Sequence, residues 1–186
     1  MTRIVAGTHG GRRINAPDGR DTRPTSDRVR EALFSTLDTM VDLTGCRFAD
    51  LYAGSGAVGL EAASRGATHV MLVESDPGAA RTARANVAAL KLGGTVQLAT
   101  GKVAAVLAGA PGDPYDVVFA DPPYALADSE VTAALSALVG NGWLAPDAVV
   151  VVERSARSPE LTWVDGISAE RGRRYGETML WYGRAA

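Results

Sequence analysis

A short run of residues, Asp121-Pro122-Pro123-Tyr124, has the composition of a site that holds an amine. It follows the apolar stretch 115–120, which predicts a buried parallel strand, and ligands of open α/β sheets bind beyond such strand ends. The prolines fix the backbone and remove N–H donors, so carbonyl and carboxylate oxygens remain as acceptors beside a flat aromatic ring. This arrangement suits a planar base with an exocyclic NH2 group. The alternative is an ordinary strand exit, because Asp and Pro are common in turns.

A second run, with glycines at 54, 56 and 59, lies between a predicted strand and a predicted helix. Glycines allow a tight turn and a close approach of backbone to ligand. Glu74 ends the next strand, where an acid can accept both hydroxyls of a ribose, and Asp50 can meet an amino group or, through water, a positive charge. The glycines alone also fit a nicotinamide dinucleotide or a plain turn. S-adenosylmethionine, an adenosine with an amino-acid tail and a sulfonium, accounts for Asp50, the glycines and Glu74 together.

The elements that must position these two runs follow one another from residue 46 onward. Strand and helix patterns alternate there, which predicts a parallel α/β sheet. Strands are predicted at 47–51, 70–73, 95–99, 117–120 and 148–153, and helices at 57–65, 76–92, 103–107 and 128–139. The segments 167–174 and 178–182 predict a closing antiparallel hairpin.

The first 45 residues predict a separate extension, a glycine-turn hairpin followed by a helix. The helix has an apolar face that includes Val29, Leu33 and Leu37, and we expect Arg28 and Arg30 on its opposite side. Residues 1–30 hold seven arginines and three acids, a charge of +4, whereas the rest holds 12 basic and 18 acidic residues, a charge of −6. A basic arm on an acidic body predicts a polyanion-binding extension, and the alternative is a solvated end.

Composition excludes several classes of protein. The chain of 186 residues is 46% hydrophobic, which predicts one soluble domain with a full α/β core. Its apolar runs are too short for a transmembrane helix, and its start lacks the apolar core of a signal peptide. One cysteine predicts a reducing cytoplasm, and two histidines without companions predict no metal site. Cys46 precedes the first strand, so we expect a buried apolar role and not a nucleophile for methylation of a ring carbon.

The same residues carry a family resemblance. Asp50-Leu-Tyr-Ala-Gly-Ser-Gly56 with Asp121-Pro-Pro-Tyr124 resembles the class I S-adenosylmethionine-dependent methyltransferases of exocyclic amines. The segments 22–34 and 59–67 resemble the RsmD family, the 16S rRNA guanine-N2 methyltransferases, and the match runs over nearly the whole chain. The resemblance implies a Rossmann-like, seven-stranded and mostly parallel sheet with an antiparallel last strand. The element pattern and the charges divide the chain into a hairpin-and-helix extension at 1–45, for docking nucleic acid, and a domain at 46–186, which the resemblance identifies as the methyltransferase domain.

The resemblance and the charge pattern together give the expected site. Catalysis is assigned to Asp121, Pro122 and Tyr124. S-adenosylmethionine is expected at Asp50, Ala53, Gly54, Ser55, Gly56, Glu74, Lys102, Val103 and Asp121, and RNA at Arg12, Arg13, Arg23, Arg28 and Arg30. The chain departs from the family at Gly101-Lys102-Val103, where an acid is usual, so backbone groups of Lys102 and Val103 are expected to serve there.

The expected substrate is guanine in 16S rRNA, either free or within a small-subunit assembly, with no membrane and no obligate protein partner. Two alternatives remain open: a DNA amino-methyltransferase acting on adenine N6 or cytosine N4, and a nucleic-acid binder without catalysis. We expect the hairpin to reach the rim near Tyr124 and dock the RNA backbone, with Arg173 and Arg174 extending that surface. The competing expectation is that the arm is a lid over the cofactor.

Overall fold

The computed structural model describes residues 2–16 and 26–186, which form nine strands and five helices. The strands are β1 Thr2–Arg3, β2 Arg13–Ile14, β3 Arg47–Leu51, β4 His69–Glu74, β5 Val96–Thr100, β6 Tyr115–Ala120, β7 Leu144–Ser155, β8 Ile167–Tyr175 and β9 Thr178–Ala185. The helices are α1 Asp27–Met40, α2 Ala57–Ser64, α3 Pro77–Ala89, α4 Val103–Leu107 and α5 Asp128–Gly140.

The main sheet has seven strands in the order β5-β4-β3-β6-β7-β9-β8. The first five of these are parallel to one another, whereas β9 runs antiparallel between β7 and β8. The predicted seven-stranded sheet with an antiparallel last strand is therefore confirmed. The strand order changes direction between β3 and β6, which is where open α/β sheets bind their ligands.

Two helical layers cover the sheet, because its central strands are apolar on both faces. Helices α1, α2 and α3 share a core with Phe48, Phe119 and Val151, and we call this side of the sheet the α1 face. Helices α4 and α5 share a second core with Leu51 and Ala120 on the opposite side, the α5 face. Side chains alternate between faces along a strand, so these cores show to which face each strand-end residue points.

The N-terminal hairpin, β1 and β2 with their turn, is fastened to the ends of two helices. The backbone N–H of Thr8 donates to the Ser64 carbonyl at the end of α2 over 2.8 Å. A ring nitrogen of His9 lies 3.0 Å from the Leu90 carbonyl after α3, and Arg12 donates to the Ala89 carbonyl over 3.1 Å. Both helices end at the amino edge of the sheet, where the strands begin. The expectation that the hairpin reaches the rim near Tyr124 is therefore wrong for its turn, which lies at the opposite edge.

A buried ion-pair network behind the hairpin corrects a second expectation, the outward position of Arg30. Arg30 and Glu61 are both fully buried, and the Arg30 guanidinium lies 3.3 Å from the Glu61 carboxylate. That carboxylate also accepts the backbone N–H groups of Val5 and Ala6, at 2.8 and 3.0 Å, and the Arg65 guanidinium at 2.9 Å. Arg30 therefore joins α1 to α2 and the hairpin, and it is not available to RNA.

Candidate active site

Adjacent strands bring the two predicted motifs together. Leu51 at the end of β3 pairs with Ala120 at the end of β6, and the backbone N–H of Asp121 donates to the Leu51 carbonyl over 3.4 Å. The glycine loop leaves β3 one residue later, so it begins beside the Asp121–Tyr124 segment. The carboxyl edge of β3 and β6 is therefore a single candidate site that contains both motifs.

The glycines of the loop differ in their surroundings. Gly54 and Gly56 have φ angles of 58° and 83°, a region that favours glycine, and a Cβ on Gly54 would meet only open space. A Cβ on Gly56 or Gly59 would instead lie 2.9 or 2.3 Å from the Leu72 side chain. Gly56 and Gly59 thus let α2 pack closely on β4, whereas Gly54 leaves space in front of the loop. Tyr52, with a φ of 60°, is a non-glycine residue in the same left-handed region.

Glu74 fastens the loop from the neighbouring strand. One oxygen of its carboxylate accepts the backbone N–H of Gly54 at 2.7 Å, and the other accepts that of Asp76 at 2.8 Å. A carboxylate oxygen has two acceptor positions, so each oxygen can still accept a hydroxyl. The geometry is consistent with the predicted ribose contact of Glu74, which stays a prediction.

Asp50 is turned into the protein. Its side chain is buried, and one carboxylate oxygen accepts the backbone N–H of Gly59 at 2.9 Å. Burial raises the pKa of Asp50 well above its usual range, the Gly59 bond acts against this, and the charges of Asp121 and Glu74 add to it. Asp50 thus holds the start of α2, and its predicted contact with the cofactor's amino group stays a prediction.

Two further sets of backbone groups border the loop. Ser55 is buried, and its backbone carbonyl accepts a hydrogen bond from the Asn86 side-chain amide at 3.0 Å. The same Asn86 side chain donates to the Asn15 carbonyl and accepts the Asn15 backbone N–H, both at 2.9 Å. Asn86 therefore links the N-terminal arm to the loop. On the other side, the Gly101 N–H donates to the Glu74 carbonyl at 3.0 Å, so exposed Lys102 and buried Val103 follow directly at the start of α4.

The Asp121–Tyr124 segment is held by a residue that the sequence analysis missed, Arg154. Asp121 is half-buried, Pro122 is buried, and the side chain of Tyr124 is 37% exposed. Arg154, at the end of β7 and itself buried, donates to the carbonyls of Pro123 and Leu126 at 3.3 and 3.1 Å. These two carbonyls bracket Tyr124, so one guanidinium fixes the backbone on both sides of the exposed ring. The available signal was an arginine two residues after the valine run 149–152.

Four carboxylates end neighbouring strands on the α1 face. In each case the residue two positions earlier in the strand has its side chain buried in the α1-face core, so the acid points to the same face. The four acids are Glu74 on β4, Asp50 on β3, Glu153 on β7 and Asp121 after β6. Ala120 pairs with Val152, so Asp121 and Glu153 are neighbours across the two strands. Glu153 is buried and was not among the predicted site residues. The α1 face of the carboxyl edge is therefore strongly acidic at the site itself.

The predicted RNA-binding arginines lie in different places. Arg12 and Arg13 are exposed on the N-terminal hairpin, and Arg28 is exposed in the first turn of α1. Helix α1 ends beside Arg184 near the amino edge, because Arg184 donates to the Met40 carbonyl at 3.3 Å, so its first turn lies toward the carboxyl edge. Arg23 lies outside the described residues. The structure thus separates Arg28 from Arg12 instead of joining them in one arm surface.

Other reactive groups are placed away from this site. Cys46 is buried before β3, and burial raises the pKa of its thiol to about 12, with Asp116 and Asp42 adding to the effect. At neutral pH it is therefore a protonated thiol and a poor nucleophile. Within residues 2–16 and 26–186, no three His, Cys, Asp or Glu side chains are grouped to hold a metal ion. The helices of these residues include none long and apolar enough to cross a bilayer.

Comparison with known proteins agrees with this architecture. A family model described as "Conserved hypothetical protein 95" matches residues 2–184. The chain is 40% identical to ribosomal RNA small subunit methyltransferase D of Escherichia coli K12, over 81% of the chain and 73% of that protein. It is 35% identical to the protein of the same name from Haemophilus influenzae, over 86% and 82%. A solved Escherichia coli structure, provisionally named the methyltransferase yhhF, superposes with a TM-score of 0.84 at 34% identity, covering 98% of this chain and 97% of that one. This chain therefore belongs to the RsmD family, that of ribosomal RNA small subunit methyltransferase D.

Proposed function

We propose that this protein transfers a methyl group from S-adenosylmethionine to the exocyclic N2 amine of a guanine in 16S rRNA. The observation that carries the proposal is the pairing of β3 with β6, which sets the acceptors of Asp121–Tyr124 beside the open space at Gly54. The names of the relatives support ribosomal RNA as the substrate. Work on a ribosomal substrate would place the protein in the cytoplasm.

The residues around the loop fit S-adenosylmethionine, which supplies an electrophilic methyl group on a positively charged sulfur. Glu74 keeps acceptor positions for ribose hydroxyls, and the acidic side chains of the carboxyl edge favour a cationic ligand. The backbone at Ala53, Gly54, Ser55 and Gly56 would hold the amino-acid tail, with Asp50 supporting it from below. Lys102 and Val103 would meet the adenine through backbone groups, and Asp121 would close the site toward the base.

The Asp121–Tyr124 segment would hold the base. The amine of guanine is a poor nucleophile because its lone pair is conjugated with the ring. Acceptors at the Asp121 carboxylate and the Pro122 carbonyl would hold its N–H bonds and turn the lone pair toward the methyl group, a positioning effect worth several kcal/mol, on the order of other proximity effects. The exposed ring of Tyr124 would stack on the base.

Product analysis tests this proposal. The protein would be incubated with labelled S-adenosylmethionine and separately with 16S rRNA, assembled small subunits and DNA, and the labelled nucleoside identified by mass spectrometry. We expect N2-methylguanosine from an RNA substrate, almost no product with Asp121→Ala, and full activity with Cys46→Ser as the matched control. N6-methyladenine or N4-methylcytosine in DNA would instead establish the alternative enzyme. Cofactor and nucleic acid binding without any product would establish a non-catalytic binder.

A further inference from the structure

A row of side chains crosses the sheet at the level of the candidate site. Asp121 neighbours Glu153, Glu153 pairs with Leu180 on β9, and Leu180 pairs with Arg173 on β8. Cross-strand partners point to the same face, and Leu180 is buried in the α1-face core. Arg173 therefore shares both the row and the face of Asp121. Three strand spacings of about 4.8 Å separate their backbones by roughly 14 Å.

Arg171 lies two residues before Arg173 on the same strand, β8. It pairs with Tyr182, which is buried in the α1-face core, so Arg171 and Arg173 lie on one face. Burial raises the pKa of Tyr182 to about 12, and the positive charges of Arg171 and Arg173 act in the opposite direction, which agrees with their lying on its side of the sheet. Both arginines are exposed, on the edge strand of the sheet.

No acidic neighbour among the described residues forms an ion pair with either of these two arginines. The nearest acids of the hairpin are engaged elsewhere: Glu170 pairs with Arg184 at 3.1 Å and Glu177 with Arg157 at 3.3 Å. Across the described ranges, 2–16 and 26–186, neither Arg171 nor Arg173 has a carboxylate within 4.0 Å. Two exposed guanidinium groups on one face, beside an acidic site, match the phosphates of a nucleic acid.

We propose that Arg171 and Arg173 form a docking surface for the phosphates of the RNA strand that carries the target base. This proposal rests on the proposed function, since it assumes that the base enters at Asp121–Tyr124. A distance of roughly 14 Å spans only a few nucleotides of a nucleic acid strand, so these arginines would meet phosphates close to the target base. The acidic carboxyl edge repels phosphates, so a positive surface beside it holds the backbone while the base alone enters. Arg12, part of the predicted surface on the N-terminal hairpin, would be at the opposite edge, because it is fastened to the end of α3.

The chain offers two matched controls for this surface. Arg174 is the next residue along β8, but it pairs with Met179 on the α5 face, and its guanidinium donates to the Gly176 carbonyl at 3.0 Å. Arg12 and Arg13 carry the same charge on the N-terminal hairpin, where Arg12 is bonded to the end of α3 at the amino edge. Binding of a fluorescent 16S rRNA transcript would be measured by anisotropy at several salt concentrations for the wild type, Arg171→Ala/Arg173→Ala, Arg174→Ala and Arg12→Ala/Arg13→Ala. S-adenosylmethionine affinity would be measured by calorimetry on the same proteins.

For Arg171→Ala/Arg173→Ala we expect RNA affinity at least tenfold weaker and a log–log salt slope smaller by about two, one for each lost phosphate contact. Cofactor affinity should be unchanged, and both controls should bind RNA nearly as the wild type does. An unchanged slope, an equal loss in Arg174→Ala, or a larger loss in Arg12→Ala/Arg13→Ala would each overturn this surface while leaving rRNA methylation intact. A wild type that binds and methylates no RNA would overturn the proposed function, and this surface with it.

Discussion

The two hairpins at the ends of the chain are both rich in arginine, yet they are held in opposite ways. The N-terminal hairpin has its backbone bonded to Ser64 and Glu61, and Arg12 is bonded to the end of α3. The C-terminal hairpin of β8 and β9 is part of the main sheet, and its strand β8 leaves Arg171 and Arg173 exposed. The comparison teaches that positive charge in a sequence does not by itself locate a ligand surface, because packing decides where in the fold that charge lies. The N-terminal hairpin is a structural brace, and we propose that the carboxyl edge of the sheet carries the binding groups.

The sharpest test of this difference removes the centre of the brace, Glu61. Glu61→Ala would leave Arg30 buried without that carboxylate and two backbone N–H groups without their acceptor. Breaking a buried ion pair in this way costs about 3–5 kcal/mol, so we expect a loss of that size in the free energy of unfolding, measured by urea denaturation. Glu170→Ala, which breaks the partly exposed pair with Arg184 on the C-terminal hairpin, should cost less than about 1 kcal/mol. Similar losses in both variants would contradict the comparison.

The turn glycines of the two hairpins give a second test. Gly7 has a φ of 84° and a Cβ there would lie 1.9 Å from the Ser64 carbonyl oxygen, whereas Gly176 has a φ of 60° and open space around it. Gly7→Ala should lower the free energy of unfolding by about 2–4 kcal/mol, from backbone strain together with the clash. Gly176→Ala should cost only the strain, about 1 kcal/mol. If thermal unfolding showed equal losses, the N-terminal turn would not be packed as described.

At the carboxyl edge, the Arg154→Ala variant tests whether the position of the Asp121–Tyr124 segment controls the rate of methylation. Arg154→Ala releases the Pro123 and Leu126 carbonyls on both sides of Tyr124. Misplacement of a substrate-holding group by about 1 Å can reduce the rate up to roughly 100-fold, so we expect kcat/KM for RNA to fall by about 10- to 100-fold. S-adenosylmethionine affinity should not change, and Arg154→Lys should recover only part of the loss, because the compact ammonium lacks the planar fork with which the guanidinium reaches both carbonyls.

Arg154 also contacts the Asp128 carboxylate, but this contact is long, 3.4 Å, and Asp128 is 73% exposed, so Asp128→Asn is the control for Arg154. It should leave the kinetics nearly unchanged. A fall in cofactor affinity with Arg154→Ala, or an equal fall in kcat/KM with Asp128→Asn, would show that Arg154 does not act through the loop.

The smallest expected effect concerns Asp50, and it is a gain in the free energy of unfolding instead of a loss. Burial raises its folded pKa, so the folded protein binds this proton more tightly than the unfolded chain does. Stability is therefore lost as the pH rises above about 3.9, the unfolded value, and the loss is complete above the folded pKa. Asp50→Asn keeps an acceptor for the Gly59 N–H and removes the charge, so we expect a gain of about 0.5–2 kcal/mol at neutral pH.

The gain in Asp50→Asn should come with weaker S-adenosylmethionine binding in calorimetry and with a flatter dependence of stability on pH between 4 and 7. If Asp50→Asn were less stable than the wild type at neutral pH, or had the same dependence of stability on pH, the buried Asp50 carboxyl group would not reduce the stability of the folded protein.

The strands that form the site could be predicted because the apolar pattern of a strand is contained within its own few residues. The run 47–51 and the helix at 103–107 lie where apolar periodicity predicted them, and the Asp121–Tyr124 and glycine-loop motifs lie side by side as parallel topology requires. Strand β7 is longer than predicted, since it begins at Leu144 with Pro146 near its start, where periodicity is weak.

What could not be predicted depends on partners that are distant in the chain. Arg30 was expected to face solvent because the helix pattern shows only which side is apolar, and Glu61, 31 residues away, could not be identified as its partner. Arg154 was missed because its acceptors are backbone carbonyls, which leave no mark in the sequence. The edge at which a hairpin docks is likewise set by hydrogen bonds to helix ends that no periodicity reveals.

The position of Asn86 couples ligand binding at the glycine loop to the stability of the chain near Asn15. One side-chain amide bonds both Asn15 and the Ser55 carbonyl beneath the glycine loop. Thermodynamic coupling is reciprocal, so a ligand that steadies the loop must also suppress local opening of the chain at Asn15, and release of that chain must weaken the ligand. Amide hydrogen exchange at Asn15 therefore becomes a reporter of loop occupancy from outside the site, and truncation of the first 16 residues changes affinity as well as stability.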